Sequence, residues 1–385
     1  MTLLRFRALF PSLGTRVHLA SCSYAPRAAF VDEALAEMLH ALDADGGPWP
    51  AFEHQVEALR EAVAGLLGAT ARQVALVPNA TIGAFQAANS LDWQGSGRPR
   101  IVASAAEFPS LSQVWHAQRA RGAEVVLVER AAGDADLLDA YRRAIDARTG
   151  FVSVPAVDYL TGARLPVREI AALARAHGAA SFCDAYQLVG AEPVDVVALG
   201  VDYAVAGAMK YLLGLPGIAF LYAANPAGVP RASELTGWQG RIDPFAFDPT
   251  RLDYPATARR FETGTPAIAP VYAALAGVQA LQAMTLPRVA ERIAHLKCHL
   301  VRALDDAGLD PQYLADPACT GAHVSLRVPR GLAHAHALTR ELARRHIQVS
   351  PRLDAIRVAL HAFNDEADVD ALCAAMVAAR DAVPA

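Results

Sequence analysis

The order of hydrophobic and polar positions changes character along the chain. From about residue 72, short apolar runs of β-type residues alternate with segments of helical period, which predicts a parallel sheet wrapped by helices. The runs lie at 74–77, 100–103, 124–128, 151–155, 179–183, 203–206 and 218–222, with helical stretches such as 81–91, 110–121 and 167–177 between them. Proline and glycine thicken between Asn225 and Pro270 and predict irregular loops there. Two long helices follow at 267–284 and 286–307, then a strand, helix, strand, helix succession at 322–328, 333–345, 356–361 and 366–379. That change of rhythm predicts an α/β protein with a mainly parallel large domain at 21–280 and a smaller α+β domain at 281–385. No internal repeat or low-complexity segment is visible.

Composition narrows the classes without choosing among them. At 385 residues, 54% hydrophobic and 19% charged, the chain can bury a sizeable core over two domains. A net charge of -4 with interleaved signs gives no whole-surface attraction for nucleic acid or anionic membrane. Five scattered cysteines without CxxC spacing suit neither a disulfide framework nor a zinc site, and are read as thiols of a cytoplasmic protein. Leu19-Ala20-Ser21-Cys22 imitates a lipoprotein cleavage box, but Arg5, Arg7, Pro11, Arg16 and His18 interrupt the apolar run such a signal needs.

One count changes the picture more. Of 35 basic residues only Lys210 and Lys297 are lysines. Arginine replaces lysine for solubility and ion pairing, but it cannot deprotonate to become an amine nucleophile. Lys297 lies in an amphipathic helical pattern and reads as a solvated helix position. Lys210 sits among Ala206-Gly207-Ala208-Met209 and Tyr211-Leu212-Leu213 with hardly a charge nearby, so it asks for a chemical explanation.

In an open parallel sheet, ligands gather beyond the carboxyl ends of the strands. Those places hold Asn79-Ala80-Thr81, Glu107-Phe108-Pro109, Asp184-Ala185-Tyr186-Gln187 and Lys210. Thr81 opens a helix, where backbone N–H groups and the helix dipole favour a phosphate, although plain helix capping explains a threonine equally well. Asp184 emerges from an apolar strand and suits a protonated ring nitrogen, or again a helix cap. Phe108 can cover a planar ring or anchor its loop. Together with Lys210 these residues describe a site for pyridoxal 5'-phosphate.

At this point the sequence resembles a known family. The stretch Asp184 to Val196, then Lys210 and Gly214-Leu215-Pro216-Gly217, is similar to the signature of class V aminotransferases, a group that includes cysteine desulfurases, isopenicillin N epimerase-like proteins and kynureninases. Arg260-Phe261-Glu262-Thr263-Gly264-Thr265-Pro266 and Ile356-Arg357-Val358-Ala359 extend the match. The resemblance implies fold type I of the pyridoxal-phosphate-dependent enzymes, with an N-terminal arm, 1–20, completing the small domain. It makes Lys210 the lysine that bonds the cofactor, Asp184 the partner of the ring nitrogen, Gln187 the partner of the ring oxygen and Phe108 the stacking ring. Ala80 and Thr81 bind phosphate, Thr265 reaches the phosphate of a neighbouring subunit in a homodimer, and Arg357 clamps the substrate α-carboxylate. Trp238 belongs to a loop that kynureninases place over the active site.

Departures from the family narrow the reaction. The loop at 346–355 carries no cysteine where desulfurases keep their nucleophile, and kynureninase positions are filled by Met209, Leu111 and Gln187. Gly207 stands where many relatives keep a phosphate-binding serine. Cys22 lies in a segment that relatives bring near the substrate and reads as a small buried thiol. Gly95-Ser96-Gly97 lacks the third glycine of a dinucleotide fingerprint and opens no helix after a strand, which sets aside a Rossmann oxidoreductase. The expectation is an enzyme acting at the α-carbon of an amino acid, by transamination, with kynureninase-like hydrolysis or carbon-sulfur lysis as the alternative.

Overall fold

Thirteen strands organise the described residues: β1 (Val17–His18), β2 (Val74–Val77), β3 (Arg100–Ser104), β4 (Glu124–Val128), β5 (Thr149–Pro155), β6 (Ala180–Asp184), β7 (Tyr203–Gly207), β8 (Ala219–Ala223), β9 (Gln312–Tyr313), β10 (His323–Arg327), β11 (Ile347–Gln348), β12 (Ser350–Arg352) and β13 (Ala355–Ala359). They belong to a computed structural model that describes residues 1–130, 133–329 and 331–382. The seven runs expected from the sequence form one sheet in the order β2-β8-β7-β6-β5-β3-β4. Strand β8 runs antiparallel to both its neighbours, so the sheet is mixed rather than wholly parallel. The cause is length: a parallel crossover needs a dozen residues or more, usually a helix, and the 208–218 connection is too short to make one. That tight return carries Lys210.

Strands β2, β7 and β8 are buried along their whole length. Trp115 is fully buried under the sheet, with its ring edge-on to Phe151 and Phe182 at 5.1 Å each. Aromatic pairs of this kind add about 0.5–1.5 kcal/mol each beyond area burial. Two helices to which the sequence pattern assigned no period, Ala29–Asp45 and Trp49–Leu66, pack against Ile268–Met284. That third helix is apolar almost all round because it is enclosed on most sides. Among the described residues no single helix is long and apolar enough to cross a membrane.

The C-terminal region forms an antiparallel sheet, β12-β13-β10-β9, backed by Leu332–Arg344 and Glu366–Ala382. Strand β1 pairs in parallel with β11, and Arg7 grips Asp368 through two hydrogen bonds of 2.7 and 2.9 Å, so the N-terminal segment is tied to this region. Residues 225–266 are built from short 3-10 turns such as Pro226–Gly228, Trp238–Gly240 and Pro244–Ala246, as the glycine and proline content predicts. At the end of this segment Glu262 is buried against Arg60 and accepts the Leu76 N–H at 2.9 Å, locking the loop to β2.

Lys297 departs from its expected solvated position. It follows Ile293 by four residues on the helix Leu286–Asp306, and Ile293, Leu296 and Leu300 face the core, which draws the lysine inward with them.

Candidate active site

Lys210 lies in a cavity of about 250 Å³ where the tips of the sheet meet the C-terminal region. The chain leaves β7 and turns back at once, closed by the Leu213 N–H to Lys210 carbonyl bond at 3.1 Å and the Gly214 N–H to Ala208 carbonyl bond at 2.9 Å. The turn aims the lysine at the cavity. Its Nζ lies 4.1 Å from the centre of the Tyr186 ring and 5.8 Å from that of Phe108. Among the described residues no acceptor bonds it. Burial pushes the amine down to about 8, with the Asp184 carboxylate opposing the shift.

Asp184 closes β6 and is buried. Its Oδ1 accepts the Tyr186 N–H at 2.9 Å, and burial raises its carboxyl against the pull of that bond and of Lys210. Gln187 donates from Nε2 to the Cys22 carbonyl at 3.0 Å, which seats the N-terminal segment at the cavity wall and leaves the buried Oε1 without a partner. Phe108 caps the helix Pro109–Ala117 and meets Tyr159 edge-on at 5.2 Å. Thr81 and Ala80 open the helix Ala80–Asn89, whose first backbone bond runs from the Gly83 N–H to the Asn79 carbonyl at 3.1 Å. The N–H groups of Ala80 and Thr81 precede that bond and are available to an anion. Arg357, on β13, is almost wholly buried. Its Nη1 donates to the Tyr159 carbonyl at 2.8 Å and its Nη2 to Ser350 Oγ at 2.6 Å, and no carboxylate pairs with it among the described residues.

The fold therefore brings Ala80, Thr81, Phe108, Asp184, Gln187, Lys210 and Arg357 to one cavity. It does not bring Thr265 or Trp238 there within one chain. Thr265 is exposed beside Glu262 and Pro266, and Trp238 stacks on Phe247 and meets Trp49 and Phe245 edge-on near the surface.

Three further residues matter that sequence reasoning left without a role. Tyr186 presses its hydroxyl onto Gly207, where any Cβ would collide with it. Gly207 is thus the partner of Tyr186, although in the sequence only the glycine stands out. Glu107 is buried beneath the cavity, accepts a 2.5 Å bond from Ser153 Oγ and is pushed up to about 8 by burial. Arg352 lines the cavity beside Arg357 from a stretch that held attention only for its lack of cysteine.

These donors fit a flat, anionic, aromatic cofactor. The helix N–H groups would hold a phosphate, the buried carboxyl and the unpartnered amide would bond a ring, and the unbonded amine would be free to bond a carbonyl carbon.

Comparison with known proteins shows the family and the fold. Residues 49–372 match the model of the family described as aminotransferase class-V. An uncharacterized aminotransferase of Bacillus subtilis, YcbU, is 31% identical over 95% of both chains. A kynureninase of Deinococcus radiodurans is 32% identical over 75% of this chain and 68% of its own, and an isopenicillin N epimerase of Amycolatopsis lactamdurans is 27% identical over 94% of both. In structure the chain is similar to C-DES with glycine covalently linked to its pyridoxal phosphate cofactor, at a TM-score of 0.88 and 22% identity over 96% of this chain and 98% of that one. It is also similar to a cysteine desulfurase of Thermococcus onnurineus, at a TM-score of 0.86 and 20% identity over 98% of both.

Proposed function

Because the chain belongs to the class V aminotransferases, a family of pyridoxal-phosphate-dependent enzymes of fold type I, we propose that it transfers the amino group of an amino acid to a keto acid. The observation that carries this reading is a single cavity holding an unbonded amine, Lys210, and a buried guanidinium without a counter-ion, Arg357. Ala80 and Thr81 would hold the cofactor's phosphate, Phe108 and Tyr186 its ring, Asp184 its ring nitrogen and Gln187 its ring oxygen. Bound there, pyridoxal phosphate supplies an electron sink that makes the α-hydrogen of an attached amino acid acidic. Arg357 orients the α-carboxylate through its planar fork, and a substantial neutral fraction of Lys210 near pH 8 lets it take a proton at the α-carbon and return it. The Tyr186 and Phe108 rings keep water from the amine.

Incubation of the holoenzyme with one amino acid tests the reading. Transamination releases one equivalent of keto acid and leaves pyridoxamine phosphate, and a second keto acid reverses it. Catalytic accumulation of anthranilate or sulfide with unchanged cofactor would instead support the second reading, hydrolysis or carbon-sulfur lysis, which the kynureninase relatives favour. Met209, Leu111 and the cysteine-free loop at 346–355 argue for transamination. Arg357→Lys should lower kcat/KM by about 1.5–3 kcal/mol while cofactor stays bound.

The same reading includes a homodimer. Phe247, Leu252 and Ile242 are 74%, 64% and 63% exposed beside Trp238, an apolar surface adjoining the segment of Thr265 that a second copy would cover. Mixing Lys210→Ala and Thr265→Ala chains should then form hybrids with one intact site, whereas a fully active monomer overturns the assembly.

A further inference from the structure

The cavity holds one cation more than an α-carboxylate requires. Strands β12 and β13 pair with Ser350 opposite Arg357 and Arg352 opposite Ala355. Residues two apart on a strand share a face, so Arg352 and Arg357 project from the same side of the sheet as diagonal neighbours, about 7–8 Å apart at the backbone. Both line the Lys210 cavity. Arg357 is braced by Tyr159 and Ser350. Arg352 has neither hydrogen bond nor ion pair among the described residues, and its Nε is buried without a partner.

Arg259 and Arg260 rest on backbone carbonyls, and four other withdrawn arginines each meet a carboxylate. Arg7 faces Asp368, Arg60 faces Glu262, Arg130 faces Asp158 and Arg292 faces Glu366. The neighbours Cys22 and Tyr159 offer Arg352 no carboxylate. Burial and the charge of Arg357 both press its guanidinium down, as expected for two like charges sharing a partly desolvated space. A substrate with a single anion would neutralise Arg357 and leave Arg352 without a counter-ion of its own.

We infer that Arg352 is a specificity-determining residue, a second anion subsite that selects amino acids whose side chain ends in an anionic group, with four- and five-carbon dicarboxylates as the fitting class. The inference rests on the aminotransferase reading for the place of the α-carboxylate. Arg357 takes that carboxylate near the amine of Lys210, and Arg352 takes the distal one from the open edge of the same sheet. On the sheet Arg352 is paired with Ala355, which carries no polar group to answer it.

Steady-state kinetics of the holoenzyme with glutamate and with its neutral isostere glutamine test the selection. Wild type should prefer glutamate, and Arg352→Gln should lower kcat/KM for glutamate by about 10–100-fold, mostly through KM, with little change for glutamine. Arg352→Lys should recover part of the preference. Equal loss for both substrates, or no preference in wild type while neutral amino acids react, overturns the inference and leaves the aminotransferase reading standing. A binding measurement separates the two further: glutarate should raise the melting temperature of the holoenzyme more than valerate does, and Arg352→Gln should erase the difference. If no amino acid reacts but glutarate retains its Arg352-dependent advantage, the reaction assignment falls and the paired anion site remains. Equal effects of glutarate and valerate on wild type overturn the site itself.

Discussion

The surroundings of Lys210 and Lys297 differ in a way that their acidities conceal. Burial pushes both amines down to about 8. Lys297 nevertheless donates to the Pro317 carbonyl at 3.1 Å, the Thr320 carbonyl at 2.7 Å and Thr320 Oγ at 3.3 Å, spending all three of its donors. Lys210 faces two aromatic rings and donates to nothing among the described residues. A depressed amine alone does not mark a nucleophile, since a structural lysine shows the same shift. Unused hydrogen-bonding capacity beside a cavity is what separates them.

The largest effect that could break this comparison is covalent. Borohydride reduction of the holoenzyme should fix the cofactor on Lys210, and Lys210→Ala should abolish the adduct and lower turnover by at least about 10²–10⁴-fold. Lys297→Ala should keep both. A mass label on Lys297 would reverse the assignment.

Stability should rank the two the other way. Lys297→Met removes three hydrogen bonds, although the Thr320 carbonyl keeps Arg164 and the Pro317 carbonyl keeps the Thr320 hydroxyl as donors, a cost of about 1–3 kcal/mol. In the apoprotein Lys210→Met removes a poorly solvated amine that bonds to nothing, so its denaturation midpoint should hold or rise. Equal losses in urea titrations would mean that Lys210 also has structural partners.

How much of this was legible in the sequence follows from the kind of signal each residue leaves. Strand tips announce themselves, because an apolar run followed by Asp184, Asn79 or Phe108 has a period and an end. The seven runs consequently recur as strands of the large sheet to within a residue or two, while the reversal of β8 depends on a connection length that apolar runs do not express. Lys210 stood out because arginine replaces lysine almost everywhere else. Lys297 misled, since one turn of helix decides whether a lysine at the rim of an apolar stripe points out or in. Arg352 could not be found by pattern, because β12 has three residues and contains Pro351, too short and too interrupted for alternation to show. Tyr186 and Gly207 come together only when the turn after β6 lies against the end of β7.

That last contact sharpens the comparison through pH. Burial favours the neutral amine, so the rate at which pyridoxal phosphate forms its adduct with apoprotein should rise with pH through about 8. Gly207→Ala drives Tyr186 away and admits water to Lys210, which should move that midpoint upward toward the ordinary lysine value. Between about 8 and 10.5 an unfolded lysine holds its proton longer than either folded one, so stability climbs with pH across that window. Lys297→Met should flatten part of the climb. A midpoint unmoved by Gly207→Ala would show that Tyr186 does not govern the amine.

The smallest expected effect comes from the group beneath the same cavity, where burial acts with the opposite sign. Glu107 is raised from 4.5 to about 8, chiefly by burial, with the Ser153 hydroxyl pulling the other way. The folded chain then keeps the proton that the unfolded chain gives up. Stability should fall as pH rises from about 4.5 to 8, the reverse of the lysine window, and the full penalty is present above 8. Glu107→Gln retains an oxygen to accept from Ser153 Oγ and carries no proton to lose. At pH 5, where wild type has lost little of its proton-linked stability, the variant should lie within about 1 kcal/mol of it, since a neutral carboxyl and an amide are close in shape and charge. By pH 9 the variant should be the more stable chain, because only wild type then buries a carboxylate near Asp184. Urea midpoints for the two apoproteins from pH 5 to 9 read this directly. Curves that stay parallel would mean that Glu107 is already ionised in the folded apoprotein, so that burial does not hold its proton.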